Sequence, residues 1–260
     1  MAVSASQPLS ANDARILHAI FDPETLPSSV AKSKDAAAID AALPAHPTIS
    51  ASKLAELEQQ QNELVRRINS ADQDPKNKSE ERESTSTLSE IENVLKELDD
   101  VVKQEPEYGS AYLNRAMAHR IHLEHRIPST NSSSDPAPSI FTLPHELLAP
   151  LFADLTSAIT CSLPSPSSSP ASEYQARILR TAHSHRAYLY LKAAESGSWQ
   201  GKGKSELEEL ASRDFSLAAR YGDEKAREMS VRTNPYSKMC GAIVREALSE
   251  ERREAGMRGL

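Results

Sequence analysis

Three histidines on one predicted helix, His119, His122 and His125, have the spacing that comes nearest to a metal site. Imidazole nitrogens are common ligands of Zn²⁺. On an α-helix, however, steps of three residues drift by about 60° each, so only neighbouring histidines of the set could share an ion. No fourth ligand with zinc-like spacing follows. The sequence therefore predicts neither a metal nor a cofactor, and a metal- or cofactor-binding protein that uses this helix is the alternative.

Two other groups of residues suggest a chemical function, namely phosphate binding and nucleophilic catalysis. Each group lacks a residue that its function requires. The segment 197–205 resembles a phosphate-binding loop, but Ser198 stands where the loop needs its first glycine, and a predicted helix rather than a strand precedes it. The interpretation of this segment is a flexible turn. Cys161 and Cys240 have no histidine and acidic residue nearby in sequence to activate a thiolate. We therefore expect a protein without enzymatic activity.

The composition narrows the class of protein. The chain has 260 residues, a formal net charge of −7 and 38% hydrophobic residues, below the roughly 45–50% typical of globular domains. Without a basic excess, binding to nucleic acid or to an anionic membrane is disfavoured. Two cysteines are too few for a disulfide framework. No signal peptide and no membrane span is recognised, so we expect a protein of the cytoplasm or the nucleus.

Helical periodicity dominates the chain, and no strand is predicted. The predicted helices lie at 10–22, from Ser52 onward, and at 88–104, 108–126, 145–162, 173–195, 205–221, 223–232 and 236–254. The sequence therefore predicts an all-α fold.

Polar and Ser/Pro-rich segments divide these helices into regions. We predict an N-terminal helix segment at 1–27, a Pro/Ala/Ser linker at 28–51, a repeat region at 52–225 and a C-terminal capping region at 226–260. Within the repeat region, disordered loops are predicted at 71–87, 128–142 and 164–172. Ser165 and Ser169 each precede a proline, as sites of proline-directed phosphorylation do, although a soluble linker is the favoured interpretation.

Three of the predicted helices share one apolar arrangement. Each carries three residues spaced by four and then three, with a small final residue in two of the sets: Val94, Leu98 and Val101; Leu151, Leu155 and Ala158; Ala211, Phe215 and Ala218. Such spacing places the three side chains on one helix face, where they can pack against a neighbouring helix. The preceding helices match as well, since Arg115-Ala116 aligns with Arg186-Ala187. The pattern indicates interrupted repeats of about 34 residues.

Four segments narrow the comparison further: AIFDPET at 19–25, SAYLNRA at 110–116, RDFSLAARYG at 213–222 and NPY at 234–236. Together with the repeats, they resemble the tetratricopeptide repeat protein 36 family. The resemblance implies a short α-solenoid of three degenerate tetratricopeptide repeats with extra N- and C-terminal helices. It also implies a non-enzymatic, adaptor-like function, through binding of a heat-shock-70-type chaperone or a metabolic enzyme, and a link to tyrosine metabolism.

In such a solenoid, the first helix of each repeat lines a concave groove. The side chains predicted to line the partner-binding groove are Leu113, Asn114, Met117, Arg120, Thr181, His185, Tyr188 and Lys192. Among them, the Asn114 amide suits the backbone or carboxylate of an extended peptide. Chaperone-binding repeats grip a carboxylate with five Lys, Asn and Arg residues, of which only Asn114 is present here, so that clamp is not expected.

Two alternatives concern the ends of the chain. The protein could be a structural subunit that binds through its termini or its convex face. The N-terminal helix could cap the solenoid, or residues 16–21 could lie in the groove and compete with a partner.

Overall fold

The computed structural model describes residues 36–72, 80–127, 139–166 and 169–257. Eight helices occupy most of these ranges: α1 (Ala51–Asp72), α2 (Glu80–Gln104), α3 (Gly109–His125), α4 (His145–Ser162), α5 (Glu173–Glu195), α6 (Lys204–Arg220), α7 (Glu224–Thr233) and α8 (Pro235–Met257). The prediction of a mostly helical fold is confirmed. No helix in these ranges is both long and apolar enough to cross a lipid bilayer.

One short hairpin interrupts the helices between α5 and α6. Its strands β1 (Ser198–Trp199) and β2 (Lys202–Gly203) pair antiparallel. The two residues of the turn, Gln200 and Gly201, have φ angles of 51° and 73°, as the tightest hairpin turns require. The expectation of no strand was wrong here, whereas the expected turn lies between the two strands. Strands of two residues are too short to leave an alternating pattern in the sequence.

The helices form because apolar residues recur on one face and polar residues cap the ends. All nine residues of the three predicted apolar sets are buried. At the start of α5, Ser172 Oγ accepts a hydrogen bond from the Gln175 backbone N–H, and the Gln175 side chain accepts one from the Ser172 N–H in return. Asp223 caps α7 by accepting from the Ala226 N–H. These two caps fix where α5 and α7 begin.

Each helix packs against the next one along the chain, which gives three antiparallel pairs: α1 with α2, α3 with α4, and α5 with α6. The first helices of successive pairs also touch, since α1 contacts α3 and α3 contacts α5. Gly109 begins α3 where a Cβ would collide with Ser162 Oγ at the end of α4. Its lack of a side chain lets the two helices approach closely.

Buried charged pairs join the helices at equivalent positions. Arg115 of α3 donates two hydrogen bonds to the Asp154 carboxylate of α4, at 2.9 and 2.6 Å. Arg186 of α5 does the same to Asp214 of α6, at 2.6 and 2.8 Å. Arg115 and Arg186 align in the predicted repeats, so the same kind of arginine–aspartate pair joins consecutive helices at both places.

Each arginine also reaches back to the preceding pair of helices. Arg115 donates to Asp99 of α2 at 2.8 Å, and Arg186 donates to Thr156 Oγ1 of α4 at 3.2 Å. Each guanidinium therefore ties its own helix pair to the one before it.

Residues 36–50, which we call the strap, run along the edge of the stack where α5, α3 and α1 begin. The Ala37 N–H donates to the Arg220 carbonyl, and the backbones of Ala38 and Asp40 exchange hydrogen bonds with Ala171. This part of the predicted linker is irregular in structure and packed against the helices.

A buried histidine anchors the other end of the strap. His46 donates from Nε2 to the Glu107 carbonyl at 3.1 Å and accepts at Nδ1 from the Ile49 N–H at 3.1 Å. With these bonds, the strap contacts the beginnings of all three helix pairs.

The predicted loops are shorter than their composition indicated. Helix α2 already begins at Glu80, and Thr87 donates from its hydroxyl to the Ala71 carbonyl. Ile140 and Ala171, at the ends of the Ser/Pro-rich runs, are buried. The rest of these loops, together with the predicted N-terminal helix at 10–22, the whole of segment 1–27 and residues 258–260, lies outside the described residues.

Candidate functional site

Helices α3 and α5 present the predicted groove residues, but not all of them to a partner. Leu113 is only 8% exposed and packs in the main hydrophobic core, and His185 is also 8% exposed. The prediction that these two side chains line an open groove was wrong. Both lie on the two helices that were expected to carry the groove, but the fold buries them.

The accessible groove residues meet at a cleft of about 630 Å³ between the C-terminal halves of α3 and α5. Arg120, Tyr188 and Lys192 line it, together with Ile140 and Phe141 from the short 3-10 turn that precedes α4. Tyr188 is 43% exposed. The structure thus brings three of the eight predicted residues together beside an apolar wall.

Charge in the cleft is locally balanced. The Lys192 ammonium lies 5.7 Å from the centre of the Tyr188 ring and 2.7 Å from a carboxylate oxygen of Glu195. Arg120 Nε lies 3.5 Å from Glu124. An exposed aromatic ring flanked by paired charges favours a peptide segment with an apolar anchor and a polar rim over a small anionic ligand.

The remaining three predicted residues, Asn114, Thr181 and Met117, lie outside the cleft lining. Asn114 Nδ2 donates to Gln61 Oε1 at 2.8 Å and so joins α3 to α1. The Thr181 hydroxyl donates to the Arg177 carbonyl one turn earlier in α5. Met117 is half-buried. These contacts give Asn114 a positioning function, which the sequence did not separate from ligand binding.

His185 is an unusual buried group. Neither ring nitrogen has a hydrogen-bond partner. Burial, reinforced by the nearby positive charge of Arg120, lowers the pKa of His185 to about 4. The folded protein therefore holds this imidazole neutral at physiological pH.

The His185 pKa predicts a pH-dependent stability. Between the folded value of about 4 and the ordinary value near 6.5, the unfolded chain binds a proton that the folded chain does not. The contribution of His185 to the free energy of unfolding is therefore fully present above that pH window. It is lost as the pH falls through the window. From pH 7 to pH 5, we expect the free energy of unfolding to fall by about 2 kcal/mol on account of His185.

Urea titrations of the wild type and of His185→Leu at both pH values measure this contribution. The variant should lose correspondingly less stability between pH 7 and pH 5, although burial also lowers the pKa of His119 and so leaves some dependence. Equal losses in the two proteins would contradict the assignment to His185.

Two of the three histidines of α3 lie next to acidic side chains. His119 Nε2 is 3.8 Å from Asp154 Oδ2, and His122 Nε2 is 3.5 Å from Glu92 Oε1. Across the parts of the chain that the structure describes, no three His, Cys, Asp or Glu side chains are grouped so that they could hold a metal ion.

Sequence reasoning missed the aromatic cluster that supports the cleft. Trp199 stacks on Phe152, with ring centres 4.3 Å apart, and meets Phe141 edge-on at 5.9 Å. Tyr190 completes the cluster. Because Phe141 also lines the cleft, the cluster fixes one cleft wall. The signal available in the sequence was that Trp199 is its single tryptophan, a residue type that is seldom left fully exposed.

Comparisons with known proteins give one strong relative. No model of a known protein family matches the chain, and no solved structure matches it. The L-tyrosine degradation gene cluster protein hmgX of Aspergillus fumigatus is 38% identical over 267 residues, and the alignment covers 96% of each chain. The similarity therefore extends over nearly the whole length of both proteins.

Proposed function

The chain belongs to the family of the L-tyrosine degradation gene cluster protein hmgX, and from this premise we propose that it is a non-enzymatic adaptor that acts in tyrosine degradation by binding a partner protein. The relative's name supports the link to that pathway. The fold supports the mode of action, since stacked helix pairs typically present extended surfaces to other proteins.

We further propose that the three helix pairs are degenerate tetratricopeptide repeats. Three observations support this: the first helices of successive pairs touch, the three apolar sets are buried, and Arg115 and Arg186 make equivalent pairs with Asp154 and Asp214. In this arrangement α7 and α8 follow the last repeat, where a capping helix is needed.

The cleft lined by Arg120, Tyr188 and Lys192 is the observation that carries the binding proposal. It combines an accessible aromatic ring, apolar walls from Ile140 and Phe141, and paired charges at its rim. Tyrosine and arginine are frequent energetic centres of protein interfaces. The proposed partner is an enzyme of tyrosine breakdown or a heat-shock-70-type chaperone, encountered in the cytoplasm or the nucleus.

Tyr188→Glu should weaken binding of that partner by about 30-fold, since losing an aromatic interface centre costs about 2 kcal/mol. Because Tyr188 is 43% exposed, the variant should fold, which circular dichroism can verify. The measurement is affinity purification from native lysate with quantitative mass spectrometry, followed by titration of the purified partner.

Leu163→Glu is the matched control, because Leu163 is also 43% exposed but follows the end of α4, outside the cleft lining. It should retain the partner. If Tyr188→Glu and the wild type bind the same proteins with the same affinity, the cleft is not the binding surface.

A further inference from the structure

Helix α8 carries an apolar face that nothing in the described chain covers. Tyr236, Met239 and Ile243 are 60%, 54% and 58% exposed. Together with the exposed Cys240, their spacing of three and four residues places them on one side of the helix. Exposed apolar stripes of this kind are costly in water and mark contact surfaces.

A groove continues this face onto the body of the protein. It encloses about 810 Å³ between α6 and α7 and ends at Tyr236. Arg213, Arg220 and Arg227 line it with one acidic residue, Glu209. The combined surface, which we call the α8 face, is therefore apolar along α8 and basic at its base.

The described chain starts beside this groove. The Ala37 N–H donates to the carbonyl of Arg220, one of the residues that line the groove. Thirty-five residues precede Ala36 outside the described structure. The 13 residues between Asp22 and Ala36 can span roughly 45 Å when extended, whereas the 23 residues of α8 extend about 34 Å. The N-terminal segment can thus reach all of the α8 face.

The sequence of that segment complements the α8 face. Residues 10–22 are predicted to form an amphipathic helix with an apolar stripe of Ile16, Leu17, Ile20 and Phe21. Asp13 lies one turn before the stripe on the same side, and Asp22 and Glu24 follow it. The stripe matches the apolar part of the α8 face, and the acidic residues match its basic part.

We propose that residues 10–22 pack as a helix against the α8 face of the same chain. A short tether gives the segment a millimolar effective concentration, which no separate partner has in dilute solution. A second copy of the chain would instead bring two basic grooves together and add repulsion between them. This inference does not depend on the proposed function.

Cross-linking within the full-length chain tests the contact through the native Cys240. In a Cys161→Ser background, Ile20→Cys places a second thiol on the apolar stripe, and His18→Cys places one on the opposite side of the same predicted helix. With a short bis-maleimide in dilute protein, Ile20→Cys should give at least about tenfold more intrachain cross-link to Cys240, because docking orients only one side toward α8. Adding Ile243→Asp should remove this preference.

Equal intrachain yields from the two thiols, or no cross-link from either, would overturn the proposal. Covalent dimers instead of intrachain cross-links would identify a second copy as the occupant and also overturn it. Hydrogen exchange measures the same contact independently and needs no added thiols. Amides of α8 should exchange at least several-fold faster in Ile16→Asp/Phe21→Asp than in the wild type, and unchanged exchange would contradict the contact.

Discussion

Replacing Asp214 with alanine is expected to lower the free energy of unfolding by about 3 kcal/mol, because it leaves buried charge without its partner. Asp214 accepts two hydrogen bonds from Arg186 and one, at 2.9 Å, from His183 Nδ1. Burial alone would raise the pKa of Asp214, but the bonds from Arg186 and His183 outweigh it and hold the pKa below its usual value. The carboxylate is therefore ionised, and its removal strands Arg186 between α5 and α6.

Chemical denaturation of the wild type and of two alanine variants measures this effect. Asp100→Ala is the matched control, since Asp100 pairs with Lys103 on the exposed side of α2 at 3.3 Å and should cost less than about 1 kcal/mol. The double variant Asp214→Leu/Arg186→Met should recover much of the lost stability, because it removes both charges together. A loss of less than about 1 kcal/mol for Asp214→Ala would show that the pair does not hold α5 to α6.

Replacing Trp199 with alanine is expected to lower the free energy of unfolding by about 3 kcal/mol or more, as removal of large buried aromatic residues does. The same change should weaken partner binding, because Trp199 packs against Phe141, which forms one wall of the cleft. Denaturation measures the first effect. Titration of the purified partner, under conditions in which circular dichroism shows the variant folded, measures the second.

The variant Trp199→Phe separates the contribution of ring packing from the contribution of the indole N–H. The Trp199 N–H is buried and has no hydrogen-bond partner, so phenylalanine loses ring area but no bond. We expect this variant to cost about 1 kcal/mol and to keep partner binding near the wild-type level. If Trp199→Ala lowers the free energy of unfolding by clearly less than this prediction and binds the partner like the wild type, the aromatic cluster does not shape the cleft.

Local regularities in the sequence were enough to predict the helices. The three apolar sets follow helical spacing, and every member is buried, because a helix must turn its apolar side away from water. The predicted helix at 173–195 coincides with α5, which Ser172 caps. Composition was less reliable for the loops, since Thr87 and Ala171 lie in polar or Ser/Pro-rich stretches and are nevertheless buried.

The candidate site could be predicted only in part. Spacing placed Tyr188 and His185 on the same helix, yet Tyr188 is exposed and His185 is covered. Periodicity gives the angle of a side chain around its helix, but its exposure depends on how closely a helix from a distant part of the sequence approaches. The same reason explains Leu113, which was predicted to line the groove and packs in the core.

The sequence by itself determined the helical fold, the faces that the helices bury and the kinship with hmgX, because each depends on residue types and their order along the chain. Only the tertiary structure decided that the strap crosses the helix pairs, that Trp199 supports Phe141 and that Arg115 and Arg186 bind carboxylates in neighbouring helices. The two arginines lie 39 and 28 residues from the aspartates that they bind. Contacts over such separations arise from the packing of whole helices, which no local pattern encodes.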